Sequence, residues 1–166
     1  MAEIIVLEAQ NSDSEAIFEL LNNVCEESEF VTRDIASSQM SLEELCRYID
    51  NQSDSSNEIC LVAKLENKVI GILNISSVGN VGDVFLAVLE KYRGYGIGQL
   101  LMDALIDWVE HTPVIKCLEL TVQVKNEIAI YIYKKYGFVI EGIQKKAVKT
   151  RDGEFRDVYA MARLMN

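Results

Sequence analysis

Three glycines fall within five positions of this chain, at Gly94, Gly96 and Gly98, inside the run Leu89-Glu90-Lys91-Tyr92-Arg93-Gly94-Tyr95-Gly96-Ile97-Gly98-Gln99-Leu100-Leu101. What flanks them constrains the fold more than any other feature. Before them, Asp83 to Leu89 (DVFLAVL) is a continuous apolar run, the pattern of a central strand covered on both faces. After them, Gly98 to Glu110 repeats its apolar residues at helical spacing and stops short of Pro113. A strand that turns through glycines into a helix leaves the helix's first amides without intrahelical partners, with the positive end of the dipole behind them. Glycine also lets a ligand approach the main chain closely. Together these features suit a phosphate or pyrophosphate, and Arg93 adds a cation beside it. No Gly-Lys-Ser/Thr closes the segment, so it is not a Walker loop, and a G-x-G-x-x-G count from Gly94 ends on Gln99. Taken alone, the same residues also fit a turn that needs glycine only for its backbone.

The rest of the chain supplies a sheet around this unit. Glu3 to Glu8 predicts a first strand. Ser14 to Cys25 carries Ala16, Ile17, Leu20, Leu21 and Val24 on one helical stripe, with Asp13 or Ser14 as cap. Ser41-Leu42-Glu43-Glu44 is a capping-box pattern opening a second helix that ends near Tyr48-Ile49. The polar run Asn51 to Asn57 then predicts a surface loop. Glu58–Lys64 and Lys68–Ser76 form an apolar hairpin around Leu65-Glu66-Asn67, and Cys117–Val124 forms another strand. Glu127–Tyr136 reads as a short helix stopped by Gly137, and Phe138–Ala147 with Phe155–Leu164 as a closing antiparallel pair around Arg151-Asp152-Gly153. The expectation is an α/β (mixed α+β) fold in one domain, residues 1–166, with helices on both faces of a mostly antiparallel sheet. The strands at 83–89 and 118–124 are joined by a helix and therefore run parallel.

Composition narrows the function classes. With 16 Lys plus Arg against 26 Asp plus Glu the formal net charge is −10, which lacks the electrostatic footprint for nonspecific nucleic-acid or anionic-membrane binding. Such a chain attracts cations, amines and basic peptides among them. Cys25, Cys46, Cys60 and Cys117 are scattered with no C-x-x-C pair, and His111 is the one histidine, so no metal site is expected and the thiols read as reduced, in a cytoplasmic protein. His111 itself reads as a helix C-terminal residue that complements the dipole. The opening MAEIIVLEAQ has no basic n-region, and no apolar run reaches the roughly 18 residues of a membrane span.

Downstream lies a second motif. The strand Leu118-Glu119-Leu120-Thr121-Val122 is followed by Asn126, Ala129, Tyr133, Gly137 and Phe138 in the spacing N-x-x-A-x-x-x-Y-x-x-x-G-F, while Arg93, Gly96 and Gly98 match R-x-x-G-x-G. With both motifs in register, the chain resembles the GNAT superfamily of acyl-CoA-dependent N-acetyltransferases over about Ile59 to Leu164, with the acyl-CoA core at about 80–142. The resemblance implies that acetyl-CoA is the cosubstrate and that its pyrophosphate is held by the backbone at Arg93, Gly94, Tyr95, Gly96, Ile97, Gly98 and Gln99. Its pantetheine arm would lie along Leu86, Ala87 and Val88 as a pseudo-strand in the gap of a splayed parallel pair. Asn126, Ala129 and Tyr133 would complete that surface, and Lys135, with Lys134, would reach the 3′-phosphate.

Acetyl transfer to nitrogen requires a neutral amine, whereas a lysine-like amine with pKa near 10.4 is protonated at pH 7, so a base must take a proton. Asp83 is the first candidate for that base, with Glu26, Glu27 and Glu29 after the first helix as a second. Developing negative charge on the carbonyl oxygen needs a donor, for which a strand amide near Val88 is placed. The leaving thiolate benefits from an acid, and Tyr133 matches the family's tyrosine beside the thioester sulfur. Tyr131 and Tyr136 read as packing residues. The function this implies is N-acetylation of a primary amine, on a small molecule or a protein or peptide, by direct attack. The alternatives are a non-catalytic acyl-CoA-binding sensor or regulatory module and a protein that uses the glycine loop for ATP. A homodimer built partly through the closing strands is expected.

Overall fold

The computed structural model describes residues 3–28, 30, 40–150 and 152–166. Seven strands form one sheet: β1 (Ile4–Glu8), β2 (Ile59–Leu65), β3 (Lys68–Val78), β4 (Val81–Val88), β5 (Cys117–Gln123), β6 (Val139–Lys149) and β7 (Phe155–Leu164). Four α-helices join them: α1 (Ser14–Glu27), α2 (Leu42–Ser53), α3 (Ile97–Glu110) and α4 (Glu127–Lys135). The spatial order is β1-β2-β3-β4-β5-β7-β6, antiparallel throughout except for β4 against β5. The order of elements and the mixed architecture are those the sequence predicts.

Local chemistry explains most of the element ends. β2 and β3 are joined by a two-residue turn in which Glu66 and Asn67 both take positive φ, the geometry whose twist matches flanking strands. A second tight turn at Gly79 extends β3 and β4 beyond their predicted limits, so that Val78 pairs with Val81. α2 opens with the reciprocal bonds expected of Ser41 and Glu44. It does not end at Ile49, however: it runs to Ser53, into the polar run predicted as a loop. Gln52 is the physical reason. Its amide is buried and donates to Asn74 Oδ1 at 2.8 Å and to the Ile75 carbonyl at 3.2 Å, a tertiary contact that overrides local composition. Asp13 likewise makes no side-chain cap on α1; its carboxylate accepts from the Gln10 amide and from Lys64 Nζ at 2.6 Å.

Helices cover both faces. Gly71 lies under Ile97 and Leu101 of α3, while Asn74, of opposite parity on the same strand, bonds to Gln52 and Tyr48 of α2. Ile70, Ile72, Leu73 and Ile75 of β3 are fully buried between the layers. Ile17, Leu20 and Val24 of α1 and Leu101, Met102 and Leu105 of α3 close the core from the two sides. α4 is the exception, with Tyr133 its one buried side chain.

A cleft where two parallel strands part

β4 and β5 pair over three rungs only, Val81–Cys117, Gly82–Leu118 and Asp83–Glu119. Beyond Asp83 they diverge, and the opening is a cleft of about 690 Å³. Backbone phase decides what faces it. Leu89 N–H bonds to the Ile70 carbonyl on the β3 side. N–H and C=O groups point to opposite edges on alternate residues, so Leu86 and Val88 turn theirs toward the gap. The gap therefore offers a strand edge to an extended chain.

At its far end stands the first turn of α3. Gly94 and Gly96 take φ of 87° and 76°, left-handed values that suit glycine. Gly96 is the residue before the helix, and its carbonyl accepts the first helical bond, from Leu100 N–H. The amides of Ile97, Gly98 and Gln99 are thus helix-terminal donors at the dipole's positive end. A Cβ on Gly94 or Gly96 would meet nothing within 4 Å, and one on Gly98 would meet only Ile132 and Leu86 methyls at 3.9 Å. Packing within the chain does not require glycine at 98, where alanine would favour the helix. Bare main chain facing the cleft is what close approach by a diphosphate requires, so the loop fits that group.

The sequence-derived candidates converge on this cleft. Asp83, Leu86, Ala87, Val88, Arg93, Gly94, Gly96, Ile97, Gly98, Gln99, Asn126, Ala129 and Tyr133 all line it. Tyr95 is exposed and Lys135 is turned to Gln99 Oε1 at 2.6 Å; neither lines it. Glu27 lies outside the lining and accepts from the Glu90 amide at 2.6 Å, while Glu29 lies outside the described residues. His111 sits at the C-terminus of α3 with Nδ1 2.8 Å from the Asp107 carbonyl, away from the cleft.

Tyr133 is 7% exposed, its ring tilted against Phe138 at 6.0 Å, and burial pushes its phenol up to about 12. It stays protonated at neutral pH, the form in which a phenol can give a proton. Asn126 caps α4 by accepting from Ala129 N–H, which fixes the start of the helix that carries Tyr133. Asp83 is exposed at the last parallel rung and is the charged side chain at that end of the lining.

Two features escaped the sequence reading. Asn74, a buried amide in the middle of β3, lines the cleft and donates to Tyr48 Oη at 3.1 Å; a polar residue between the apolar run Val69–Leu73 and Ile75 was the available signal. Tyr131 does not pack as predicted, whereas Tyr136 packs partly against the core as predicted and also makes polar contacts. Tyr131 is 68% exposed at the cleft rim, and Tyr136 hydrogen-bonds to α3. Among the described residues no group of three or more His, Cys, Asp or Glu could hold a metal, and no helix is long and apolar enough to cross a membrane.

Fold and cleft together define an acyl-CoA-dependent acyltransferase, and comparison with known proteins agrees. The acetyltransferase (GNAT) family model matches residues 20–138. The L-amino acid N-acetyltransferase AaaT of Escherichia coli K12 is 38% identical over 109 residues, 63% of this chain and 67% of that protein. The crystal structure of a GNAT-family acetyltransferase from Streptococcus pneumoniae superposes with a TM-score of 0.92 at 34% identity, over 98% of this chain and 100% of that one. A Salmonella typhimurium protein solved with acetyl-CoA shares the fold at a TM-score of 0.86 and 15% identity, over 99% of this chain and 95% of that one. The chain belongs to the GNAT family of acetyltransferases. Its reaction is transfer of an acetyl group from acetyl-CoA to an amine.

Proposed function

We propose that the acceptor is a small primary amine, with free amino acids the first class to test, and that the amine attacks the thioester directly. The observation that carries the reading is the meeting in one cleft of the bare α3 turn, the free edge of β4, Tyr133 and Asp83. The name of the AaaT relative supports amino acids as the starting class. Acetyl-CoA supplies an activated acyl group and a thiol leaving group. The amides of Ile97, Gly98 and Gln99, with Arg93, hold its diphosphate, and Leu86 and Val88 grip its arm through main-chain bonds. Asp83 takes the proton that frees the amine lone pair. Val88 N–H, facing the gap, donates to the carbonyl oxygen as charge gathers there. Tyr133 keeps a proton at Oη for the departing sulfur. Asn126 holds α4 at the mouth of the cleft, and Lys134 and Lys135 lie within the same reading as contacts for the 3′-phosphate.

The protein acts in the cytoplasm as a homodimer in this reading. Support for the dimer comes from the outer strand, where Val139, Ile140, Ile143 and the neighbouring Phe155 are exposed. A thiol-release assay with acetyl-CoA and a panel of amino acids, polyamines, aminoglycosides and N-terminal peptides tests the acceptor. Amino-acid-dependent release supports the assignment; release confined to another class overturns it.

A further inference from the structure

α4 is short: Tyr133 is its one buried side chain, and Ala129, Ile130 and Ile132 pack only partly against the core. Its neighbour is the first part of α3. Ile132 Cδ1 lies 3.9 Å from where Gly98 would carry a Cβ. One turn later Tyr136 Oη lies 2.7 Å from Asp103 Oδ1 and 3.0 Å from the Gln99 carbonyl oxygen, its one hydrogen serving both acceptors. Lys135 Nζ donates to Gln99 Oε1 at 2.6 Å. Gln99 and Asp103 stand one turn apart on the same face of α3. The end of α4 thus grips the very turn whose amides face the cleft, three residues after Tyr133.

We propose that Tyr136 is a positioning residue that bolts α4 to the first two turns of α3 and so fixes the spacing between the phosphate-binding turn and the Tyr133 hydroxyl. This rests on the reading of the cleft given above. A donor held at its diphosphate presents its thioester at a distance set by the length of its own arm, so the proton donor must stand at a matching distance from the diphosphate site. Misplacement by an ångström is enough to slow a proton transfer substantially. Burial, with the Asp103 carboxylate beside it, holds the Tyr136 phenol up to about 12, so the bolt stays hydrogen-bonded across the pH range of an assay.

Tyr136→Phe removes the hydroxyl and little else. With acetyl-CoA its kcat falls about tenfold while CoA affinity stays within about twofold. With S-acetyl-N-acetylcysteamine, a donor that keeps the thioester end and lacks the diphosphate, kcat/KM matches wild type, because the phosphate turn no longer sets the register. Asp103→Ala reproduces the acetyl-CoA defect, the double variant falls no further, and Asp103→Asn, which keeps an acceptor, recovers most of the rate. Equal losses with both donors, additive losses in the double variant, or wild-type turnover of acetyl-CoA by Tyr136→Phe would each overturn the proposal. The underlying reading fails separately, through a wild-type protein that releases no thiol from acetyl-CoA with any amine.

Discussion

Asp83 and Glu119 form the last parallel rung between β4 and β5, and the cleft opens directly beyond them. The carboxylate proposed as base therefore sits where the paired region ends and the gap begins. Asp83→Asn keeps the shape and removes the proton acceptor. Turnover is expected to fall by about 10²-fold. Thiol release from acetyl-CoA checks it, and unchanged turnover assigns the proton to another group.

Tyr133→Phe tests the acid. The phenol is held up to about 12 by burial alone, so it loses no proton in an ordinary assay. The variant is expected to lower kcat by about 10²-fold with CoA affinity preserved. Calorimetric titration with CoA beside steady-state rates separates the two effects. Stability carries a second signature. A folded pKa above the unfolded value of about 10 means stability is whole below pH 10 and is lost as pH climbs toward 12. Alkaline unfolding followed by circular dichroism is expected to be shallower in the phenylalanine variant.

The α3 turn separates ligand from fold. Gly98→Ala meets only methyls at 3.9 Å and gains roughly 1 kcal/mol of helix propensity, so its melting temperature holds or rises. Its CoA affinity is expected to fall, because the added methyl would stand where the diphosphate is proposed to approach. Gly96→Val loses on both counts, since a branched residue at φ 76° costs about 1–3 kcal/mol. Wild-type CoA affinity in Gly98→Ala places the diphosphate elsewhere.

His111 offers a single resolvable imidazole. Its Nδ1 bond to the Asp107 carbonyl, and then the Asp107 charge, raise its pKa above the usual 6.5. Folding thus favours the protonated ring. That contribution is present below pH 6.5 and fades as pH rises through the folded midpoint. NMR titration is expected to give a midpoint above 6.5, lowered by Asp107→Asn.

Much of this architecture was written locally. Ser41 and Glu44 announce α2, the two motifs place α3 and α4, and the β4 flank of the gap is an apolar run. What could not be read depended on distant partners. Gln52 extends α2 because Asn74 and Ile75 wait across the layer, twenty-two and twenty-three residues on. Asp13 forgoes capping because Lys64 is in reach. Tyr136 looks like one more aromatic in a short helix until α3 is brought against it. Pattern gives the faces of an element but not the hydrogen-bonding partners those faces will find.

The three-rung pairing of β4 with β5 has one further consequence. In the reading proposed above, recognition at the gap is performed by peptide groups, which every residue type possesses. Side chains along those strands can thus drift, or be redesigned, without erasing the docking rail. Asn74 of β3 and Val158 of β7 line the same cleft from strands outside that pair, and they meet it through side chains. New amine preferences are free to arise there while the acyl carrier is gripped as before.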